Sequence, residues 1–299
     1  MSSIEIRAFE RRDREQLTEL VNAHVDAVVP GRSVSVNAVL SQLEREPGEV
    51  VVDPWVTERA TLVAVRREQV VAAALLTRFA DDARVSDSYR GTAELRWLLC
   101  WPQHADAADA LAAACVATMD RWGARTQWAN GSLPAPSVYG IPDSWPHVRG
   151  VLERAGFEPG GRVEVVVAAA VADLPQVGPP PADGLAVRRV VGRNGTAFEA
   201  VRGEEPVGLF ELRSDVTTGG ALSRLAGWGE VWNLHVDEGL RRQGVGSWLV
   251  GHGAHWLRLG EVRMLLAEHE AGNEAGAAFL RAVGCSELTR TERGWARKS

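Results

Sequence analysis

The pattern of apolar and polar positions predicts a chain that alternates strands with helices, in an order that occurs twice. Alternating or continuous short apolar runs indicate strands, whereas apolar residues three and four positions apart indicate helices. Two adjacent strands meet near Glu68, which predicts a hairpin. The elements predicted for the first half are strands at 4–9, 60–67, 69–79, 93–101, 126–130 and 162–171, and helices at 13–29, 35–46 and 105–123, with a fourth ending at 157.

The second half repeats this order in shortened form. The similar segments LERAGF and LRAVGC stand at equivalent places, 152–157 and 280–285. An internal duplication, with the first two helices trimmed from the second copy, explains both features. The elements predicted for this half are strands at 185–191, 230–236, 262–270 and 286–298, a hairpin around 203–205, and helices at 244–260 and 273–284.

A proline-rich segment, ADLPQVGPPPADG, separates the two halves and has neither a helical nor an alternating pattern. Its three consecutive prolines favour an extended, stiff spacer. We therefore predict a first domain at 1–172, a linker at 173–184 and a second domain at 185–299. Strands that alternate with helices place both domains in the mixed α/β class.

The amino-acid composition argues against some classes of function. The chain has 299 residues, of which 45% are hydrophobic and 24% charged, as in globular proteins. A net charge of −6 argues against a nucleic-acid binder. The start of the chain has no apolar leader, and its longest apolar run is too short for a membrane helix. We expect a cytoplasmic protein that binds neither nucleic acid nor membrane; the sequence leaves the oligomeric state open.

Three cysteines, Cys100, Cys115 and Cys285, lack the spacing of a zinc site or a disulfide framework, which predicts buried free thiols. His252 and His255 share a helical face but have no third ligand nearby, so we expect no metal site.

The most informative stretch, GEVWNLHVDEGLRRQGVGSWL at 229–249, passes from an apolar strand through two glycines into a helix. A helix start offers unpaired N–H groups and the positive end of the helix dipole, which together bind anions. Gly244 and Gly246 would let a phosphate approach the backbone, and neighbouring arginines add positive charge. No P-loop lysine follows, and Leu249 replaces the third glycine of a dinucleotide fingerprint. Glycines kept only for helix–strand packing stay an alternative.

The segment LHVDEGLRRQGVGSWL resembles the acetyl-CoA-binding segment of the GNAT N-acetyltransferases, in which Arg241, Gly244 and Gly246 fill the fixed positions. The order of elements resembles that fold in both halves. The resemblance implies two tandem domains, each a mixed, mostly antiparallel sheet flanked by helices. The first copy has PQHADAAD at the matching place, where Asp106 and Asp109 would repel a phosphate. We therefore expect it to be degenerate for cofactor binding.

The resemblance also implies acetyl-CoA as co-substrate, lying in a gap between the strands at 230–236 and 262–268. The backbone N–H of Leu234 would polarise the thioester carbonyl, and the backbone around it would pair with the pantetheine arm. Amides at the helix start would hold the diphosphate. The implied cofactor-binding residues are Leu234, His235, Val236, Arg241, Arg242, Gln243, Gly244, Val245, Gly246, Ser247 and Asn273.

Glu230 matches the position from which some family members supply a carboxylate base that deprotonates the amine. A solvent-facing strand residue is the alternative interpretation. His235 is a competing base, although strand alternation directs it to the face opposite Leu234. Trp232 would point from the face of Glu230 and Leu234 and line the acceptor pocket. Leu280 stands where the family often has a tyrosine that protonates the departing thiolate.

The sequence thus predicts an acetyl-CoA-dependent N-acetyltransferase that acetylates the amine of an unidentified small molecule by direct attack in a ternary complex. A non-catalytic acyl-CoA-binding pseudoenzyme or sensor is the alternative, favoured by the missing tyrosine. A narrower alternative is a reaction similar to that of mycothiol synthase, which acetylates an aminosugar–cysteine conjugate.

Overall fold

A computed structural model describes residues 3–43, 55–131, 139–213 and 227–298. Two mixed sheets flanked by helices form its framework, in agreement with the predicted α/β class. The helices are α1 (Arg14–Asp26), α2 (Val36–Leu43), α3 (Ala105–Arg121), α4 (Pro146–Arg154), α5 (Val245–Leu259) and α6 (Glu274–Ala282). The strands are β1 (Glu5–Ala8), β2 (Val56–Arg66), β3 (Gln69–Phe79), β4 (Ala93–Cys100), β5 (Thr126–Ala129), β6 (Ile141–Pro142), β7 (Arg162–Ala170), β8 (Leu185–Val191), β9 (Thr196–Arg202), β10 (Glu205–Arg213), β11 (Trp228–Val236), β12 (Met264–Glu270), β13 (Ser286–Arg293) and β14 (Trp295–Lys298).

One sheet has six strands in the order β1-β2-β3-β4-β5-β14, and the other has eight in the order β6-β13-β7-β12-β11-β10-β9-β8. Antiparallel pairs dominate both sheets, but β4 with β5 and β11 with β12 are parallel. The predicted hairpin between β2 and β3 is confirmed. Its two turn residues, Arg67 and Glu68, have φ of 50° and 66°, and two positive φ angles are typical of a tight hairpin turn.

Contacts divide the described residues into two compact units, with 3–163 and 289–298 in unit 1 and 164–213 and 227–288 in unit 2. This division differs from the predicted domains, 1–172 and 185–299, at both ends. The reason is that each half gives its last strand to the sheet of the other half. β7 pairs along its length with β12, and β14 pairs with β5.

The segment at 173–184, predicted as a stiff linker between the domains, packs along α5 as part of unit 2. The indole Nε1 of Trp248 donates to the carbonyl of Gly178 at 3.1 Å. The Arg258 guanidinium donates to the carbonyls of Val171 and Leu174, both at 2.8 Å. These three hydrogen bonds fix the segment, and Val171 shortly before it, on the helix that begins at the predicted anion site.

The core of unit 2 lies between β10 and α5. Phe210 and Leu212 of β10 are buried there against Leu249 and Leu257 of the helix. A Cβ at Gly253 would lie 2.2 Å from a ring carbon of Phe210, so glycine is required for the helix to approach the strand this closely. This contact fixes α5, and with it the helix start, against the sheet.

The predicted buried free thiols are confirmed. Burial raises the pKa of Cys100 and Cys115 to about 12 and that of Cys285 to about 11, because a thiolate is poorly solvated inside the protein. Across the part of the chain that the structure describes, each helix is too short or too polar to cross a membrane.

Candidate functional site

Strands β11 and β12 separate partway along their length. They pair in parallel from Trp228 with Met264 to Glu230 with Leu266, and their pairing ends there. β11 nevertheless continues to pair with β10 as far as Val236, and β12 continues to pair with β7 as far as Glu270. The two strands therefore border an open gap that begins just after Glu230, as the family resemblance implied.

Backbone groups of β11 point into this gap. The N–H of Asp237 donates to the carbonyl of Val207, on the side of β10. Because backbone groups alternate sides along a strand, the N–H groups of Leu234 and Val236 point the opposite way, towards the gap. The carbonyl of Val236 accepts a hydrogen bond from Nε of Arg241 at 2.9 Å on that side. Leu234 thus presents its N–H where the resemblance places the thioester carbonyl.

A β-bulge at Trp232 changes which side chains share a face. Glu211 pairs with Asn233 and Leu212 pairs with Val231, which leaves Trp232 as the extra residue. An extra residue breaks the alternation of side chains along a strand. Val231 and Leu234 both pack on the core of unit 2, on the α5 side. Glu230, next to Val231, therefore faces the opposite side.

The prediction that Glu230, Trp232 and Leu234 share one face was therefore wrong, because strict alternation fails at the bulge. His235 does lie opposite Leu234, as predicted, but the bulge makes that the face of Glu230. Its imidazole is half-exposed, and Nε2 lies 3.2 Å from Oδ1 of Asp237. His235 is thus not separated from Glu230 by the sheet.

Glu230 is buried, with 7% of its surface exposed, at the point where the two strands part. Its cross-strand neighbour is Arg213. The guanidinium carbon of Arg213 lies 4.9 Å from the ring centroid of Trp232, which is 46% exposed. A buried carboxylate, a guanidinium and an exposed indole therefore meet beside the gap. Arg213 leaves no signal in the sequence, because only the register of β10 brings it here.

The start of α5 has the properties of an anion site. Gly244 precedes the helix with φ of 87°, and Arg242 has φ of 64°. Residues 241–244 are exposed. Among the described residues, no backbone carbonyl accepts from the N–H groups of 242–247; the first such bond is from Trp248 to Gly244. Free amides and the helix dipole at an exposed bend suit a diphosphate.

Gly244 and Gly246 each have a structural role that differs from the phosphate access predicted for both. Gly244 is needed for its left-handed conformation, which other residues adopt at a cost. A Cβ at Gly246 would lie 3.0 Å from a ring carbon of Phe279 in α6. Glycine at 246 therefore leaves room for an aromatic ring of α6, which gives this position a packing role that the sequence analysis had not assigned. Its role in phosphate access stays a prediction.

Helix α6 contains two further residues that the resemblance singled out. Asn273 caps the helix, since its Oδ1 accepts from the N–H of Gly276 at 2.9 Å. Asn273 is exposed, and its side-chain NH2 is a second polar group beside the capping oxygen. Leu280, in the position of the family's tyrosine, packs partly buried against the core of unit 2.

The matching helix start in unit 1 has different chemistry. At the start of α3, the Arg66 guanidinium is hydrogen-bonded to the Asp106 carboxylate and lies 3.2 Å from Nδ1 of His104. The hydrogen bond from Arg66 lowers the pKa of Asp106, which keeps the carboxylate charged. Arg154 holds Asp109 through two nitrogen atoms, at 3.0 and 2.8 Å. This arrangement agrees with the predicted loss of a phosphate site in the first copy.

Unit 1 nevertheless repeats the bulge of unit 2. In β4, Leu95 pairs with Leu76 and Trp97 pairs with Leu75, which leaves Arg96 as the extra residue. Glu94 stands two positions before this bulge, as Glu230 stands two positions before Trp232. The shared geometry supports an internal duplication and makes Glu94 the counterpart of Glu230. Glu94 could not be singled out from the sequence, because neither β4 nor β11 shows its bulge in the apolar pattern.

The described residues contain no group of three or more His, Cys, Asp and Glu side chains arranged to hold a metal ion.

Comparisons with known proteins agree with this geometry. Residues 174–285 match the acetyltransferase (GNAT) family. A glucosamine N-acetyltransferase region of a fungal multi-domain β-N-acetylglucosaminidase has a TM-score of 0.67 at 12% identity, covering 99% of this chain and 38% of that one. A tandem GNAT protein from the clavulanic acid biosynthesis pathway has a TM-score of 0.66 at 16% identity, and the match covers 99% of this chain and 98% of that one.

A GCN5-related N-acetyltransferase from Sphaerobacter thermophilus has a TM-score of 0.63 at 16% identity, covering 99% of this chain and 95% of that one. A comparison with curated proteins found no match for the sequence. Sequence identities this low show a shared fold and nothing more. The family match thus identifies residues 174–285 as a GNAT acetyltransferase domain, and the chain as a whole has the fold of tandem GNAT proteins.

Proposed function

We propose that unit 2 transfers an acetyl group from acetyl-CoA to the amine of a small molecule, by direct attack in a ternary complex. The observation that carries this proposal is the gap between β11 and β12, which opens just after Glu230. One of the two strands that border it, β11, leads directly into the start of α5. Acetyl-CoA supplies an activated thioester there.

The residues of the chain have separate tasks in binding the co-substrate. Amides of 242–247, together with Arg241 and Arg242, hold the diphosphate at the positive end of α5. Arg241 also holds the end of β11 through its hydrogen bond to the Val236 carbonyl. The backbone of 234–236 pairs with the pantetheine arm as an added strand would. The Asn273 side chain contributes its free amide NH2.

The N–H of Leu234 donates to the thioester carbonyl oxygen and stabilises the negative charge that develops on it as the amine attacks. A single backbone donor of this kind is preorganised, because β10 fixes the strand on its other side.

Glu230 accepts the proton of the amine, directly or through one water molecule. The new bond joins the amine nitrogen to the acetyl carbon, and the bond from that carbon to sulfur breaks. The sulfur leaves as a thiolate, which takes a proton from solvent, since Leu280 has none to give. A thiol with a pKa near ~8.5 is a competent leaving group without assistance.

The acceptor approaches from the face of the sheet that carries Glu230, because the bulge turns that side chain away from α5. Trp232, exposed beside Arg213, lines this approach and contacts the body of the acceptor. His235 lies on the same face and is the second candidate base.

Turnover of acetyl-CoA with a panel of amines, followed by release of free thiol, tests the proposal. Glu230→Gln is expected to lower kcat by a factor of about 10² or more, as for the loss of a general base, with CoA affinity unchanged. Glu238→Gln is the matched control, because Glu238 is exposed beyond the end of the strand and is expected to retain full activity. Unchanged turnover in Glu230→Gln would exclude Glu230 as the base.

The alternative, a non-catalytic acyl-CoA-binding protein, is favoured by one observation: Leu280 fills the tyrosine position with a partly buried apolar side chain. Tight CoA binding with no turnover of any amine by the wild type would establish this alternative. The narrower mycothiol-synthase-like reaction stays a prediction of the sequence, and an aminosugar–cysteine conjugate in the amine panel tests it.

A further inference from the structure

Unit 1 contains a cavity of about 620 Å³ that the proposed acetyl transfer does not use. All the residues that line it belong to unit 1. Its volume falls within the range of small-molecule sites, which are mostly apolar clefts with a few convergent polar groups. The lining residues that carry chemistry are Glu94 and Arg96 of β4, Trp128 of β5, and Tyr139, Arg162 and Arg293.

Aromatic rings form much of the wall. Tyr89 lies edge-on to Phe79, with ring centroids 5.1 Å apart, and its centroid lies 6.2 Å from that of Trp55. Trp128 and Tyr139 add two further rings. Such walls favour an apolar or aromatic body, and their faces also attract cations.

One buried carboxylate faces this cavity. Glu94 is 5% exposed, and its Oε1 accepts a hydrogen bond from Nδ2 of Asn130 at 2.7 Å. Its Oε2 lies 3.5 Å from the Thr77 hydroxyl and 3.8 Å from Nε of Arg96. A carboxylate has about four acceptor sites, so it can accept further hydrogen bonds from an ammonium group. Glu94 also occupies, relative to its bulge, the position that Glu230 occupies beside the gap of unit 2.

Three arginines line the same cavity, Arg96, Arg162 and Arg293. The guanidinium carbon of Arg293 lies 5.5 Å from the centroid of the Tyr139 ring. Guanidinium groups bind carboxylates through paired hydrogen bonds and stack on aromatic rings. The pocket therefore offers both signs of charge around an apolar interior.

We propose that this pocket binds a small zwitterion with an apolar or aromatic body, its ammonium group on Glu94 and its carboxylate on the arginines. Binding there involves no acetyl transfer, because the start of α3 is occupied by the Arg66–Asp106 pair and offers no diphosphate site. The proposal does not depend on the function proposed for unit 2.

Calorimetric titration of the full-length protein with L-phenylalanine, L-leucine and L-tryptophan tests this proposal. Each amino acid is compared with the amine that lacks its carboxylate and with the acid that lacks its ammonium group. At least one amino acid is expected to saturate one site per chain. Both analogues of that amino acid are expected to bind at least about tenfold more weakly, as when a charge-assisted hydrogen bond is lost. No saturation by any amino acid, or equal affinity for a singly charged analogue, would overturn the proposal.

Two variants locate the bound amino acid. Glu94→Gln keeps the size of the side chain and the bond from Asn130, and we expect it to weaken binding at least about tenfold. Tyr139→Leu changes a half-exposed ring whose loss spares the core, and we expect it also to weaken binding. Glu230→Gln is the matched control in unit 2 and is expected to leave binding unchanged. Binding that is lost in Glu230→Gln but kept in Glu94→Gln would place the amino acid in unit 2 and refute the proposal.

Discussion

Substitution of Gly246 by alanine separates two explanations of the glycine motif. If the glycine were kept for phosphate access, the new methyl group would weaken CoA binding and leave the fold intact. The structure indicates a different result, because the added Cβ would lie 3.0 Å from Cε2 and 3.3 Å from Cζ of Phe279. Carbon atoms in contact prefer separations of about 3.5–4.0 Å.

The expected cost follows from these distances. Forcing a methyl group into a packed contact costs about 1–3 kcal/mol, and alanine returns up to about 1 kcal/mol through its better helix propensity. We therefore expect Gly246→Ala to lower the free energy of unfolding by about 1 kcal/mol. In a Phe279→Leu background the contact is absent, so the same substitution is expected to be neutral or stabilising. The two substitutions should show a coupling energy of about 1–2 kcal/mol.

Urea unfolding of the four proteins in this cycle, together with CoA titration of each, provides the assay. Gly239→Ala is the control, because a Cβ at this glycine, which lies just before the bend, meets no atom within 4 Å. Additive effects of Gly246→Ala and Phe279→Leu on stability, with CoA affinity lost in every protein that carries alanine at 246, would refute the packing explanation.

Three further predictions concern pH, the packed segment and CoA stoichiometry. Burial, opposed in part by a hydrogen bond to the Leu20 carbonyl, lowers the pKa of His24 to about 4, so the folded state resists protonation that the unfolded state accepts near pH ~6.5. The stability that neutral His24 contributes is therefore complete above pH ~6.5 and is lost as the pH falls towards 4, by at most about 3 kcal/mol. In His24→Gln, the urea midpoint should depend less steeply on pH between pH 5 and 7. An unchanged slope would contradict this prediction. Arg258→Met removes two hydrogen bonds to the backbone of the segment before α5. We therefore expect the free energy of unfolding to fall by about 2 kcal/mol and proteolysis within 173–184 to become faster. Arg281→Met, on the surface of α6, should change neither quantity. Calorimetry should give one CoA per chain, because Arg66 engages the start of α3; a stoichiometry of two would show that unit 1 retains a diphosphate site.

Much of the fold was predictable from local patterns. Apolar periodicity located the strands and helices, and the positions of turns located the hairpins at Glu68 and Gly203. The strand–bend–helix order around Gly244 was also predictable, because positive φ and a helix start leave local signatures in sequence.

Features set by partner strands could not be predicted in this way. β7 and β14 were identified as strands, but only tertiary pairing assigns each to the sheet of the other half. The bulges at Trp232 and Arg96 arise because two residues oppose one on the neighbouring strand, so neither leaves a mark in its own apolar pattern. The bulge at Trp232 is what placed Glu230 and Leu234 on opposite faces.

Contacts between distant segments were equally beyond local reasoning. The ring of Phe279 explains Gly246, and α5 explains why the proline-rich segment is held in place. Glu94 is marked as a functional candidate only by the bulge that follows it, which matches the bulge after Glu230, and by the cavity beside it. In each example a residue type visible in the sequence acquired its meaning from a neighbour distant along the chain.

A crystal structure of the protein with CoA is the measurement that tests the central claim most directly. We predict diphosphate oxygens at about 2.8–3.2 Å from amide nitrogens within 242–247, with the sulfur end of the molecule in the gap beside Leu234. CoA bound at any other place, or a bend that stays empty at saturating CoA, would contradict the account.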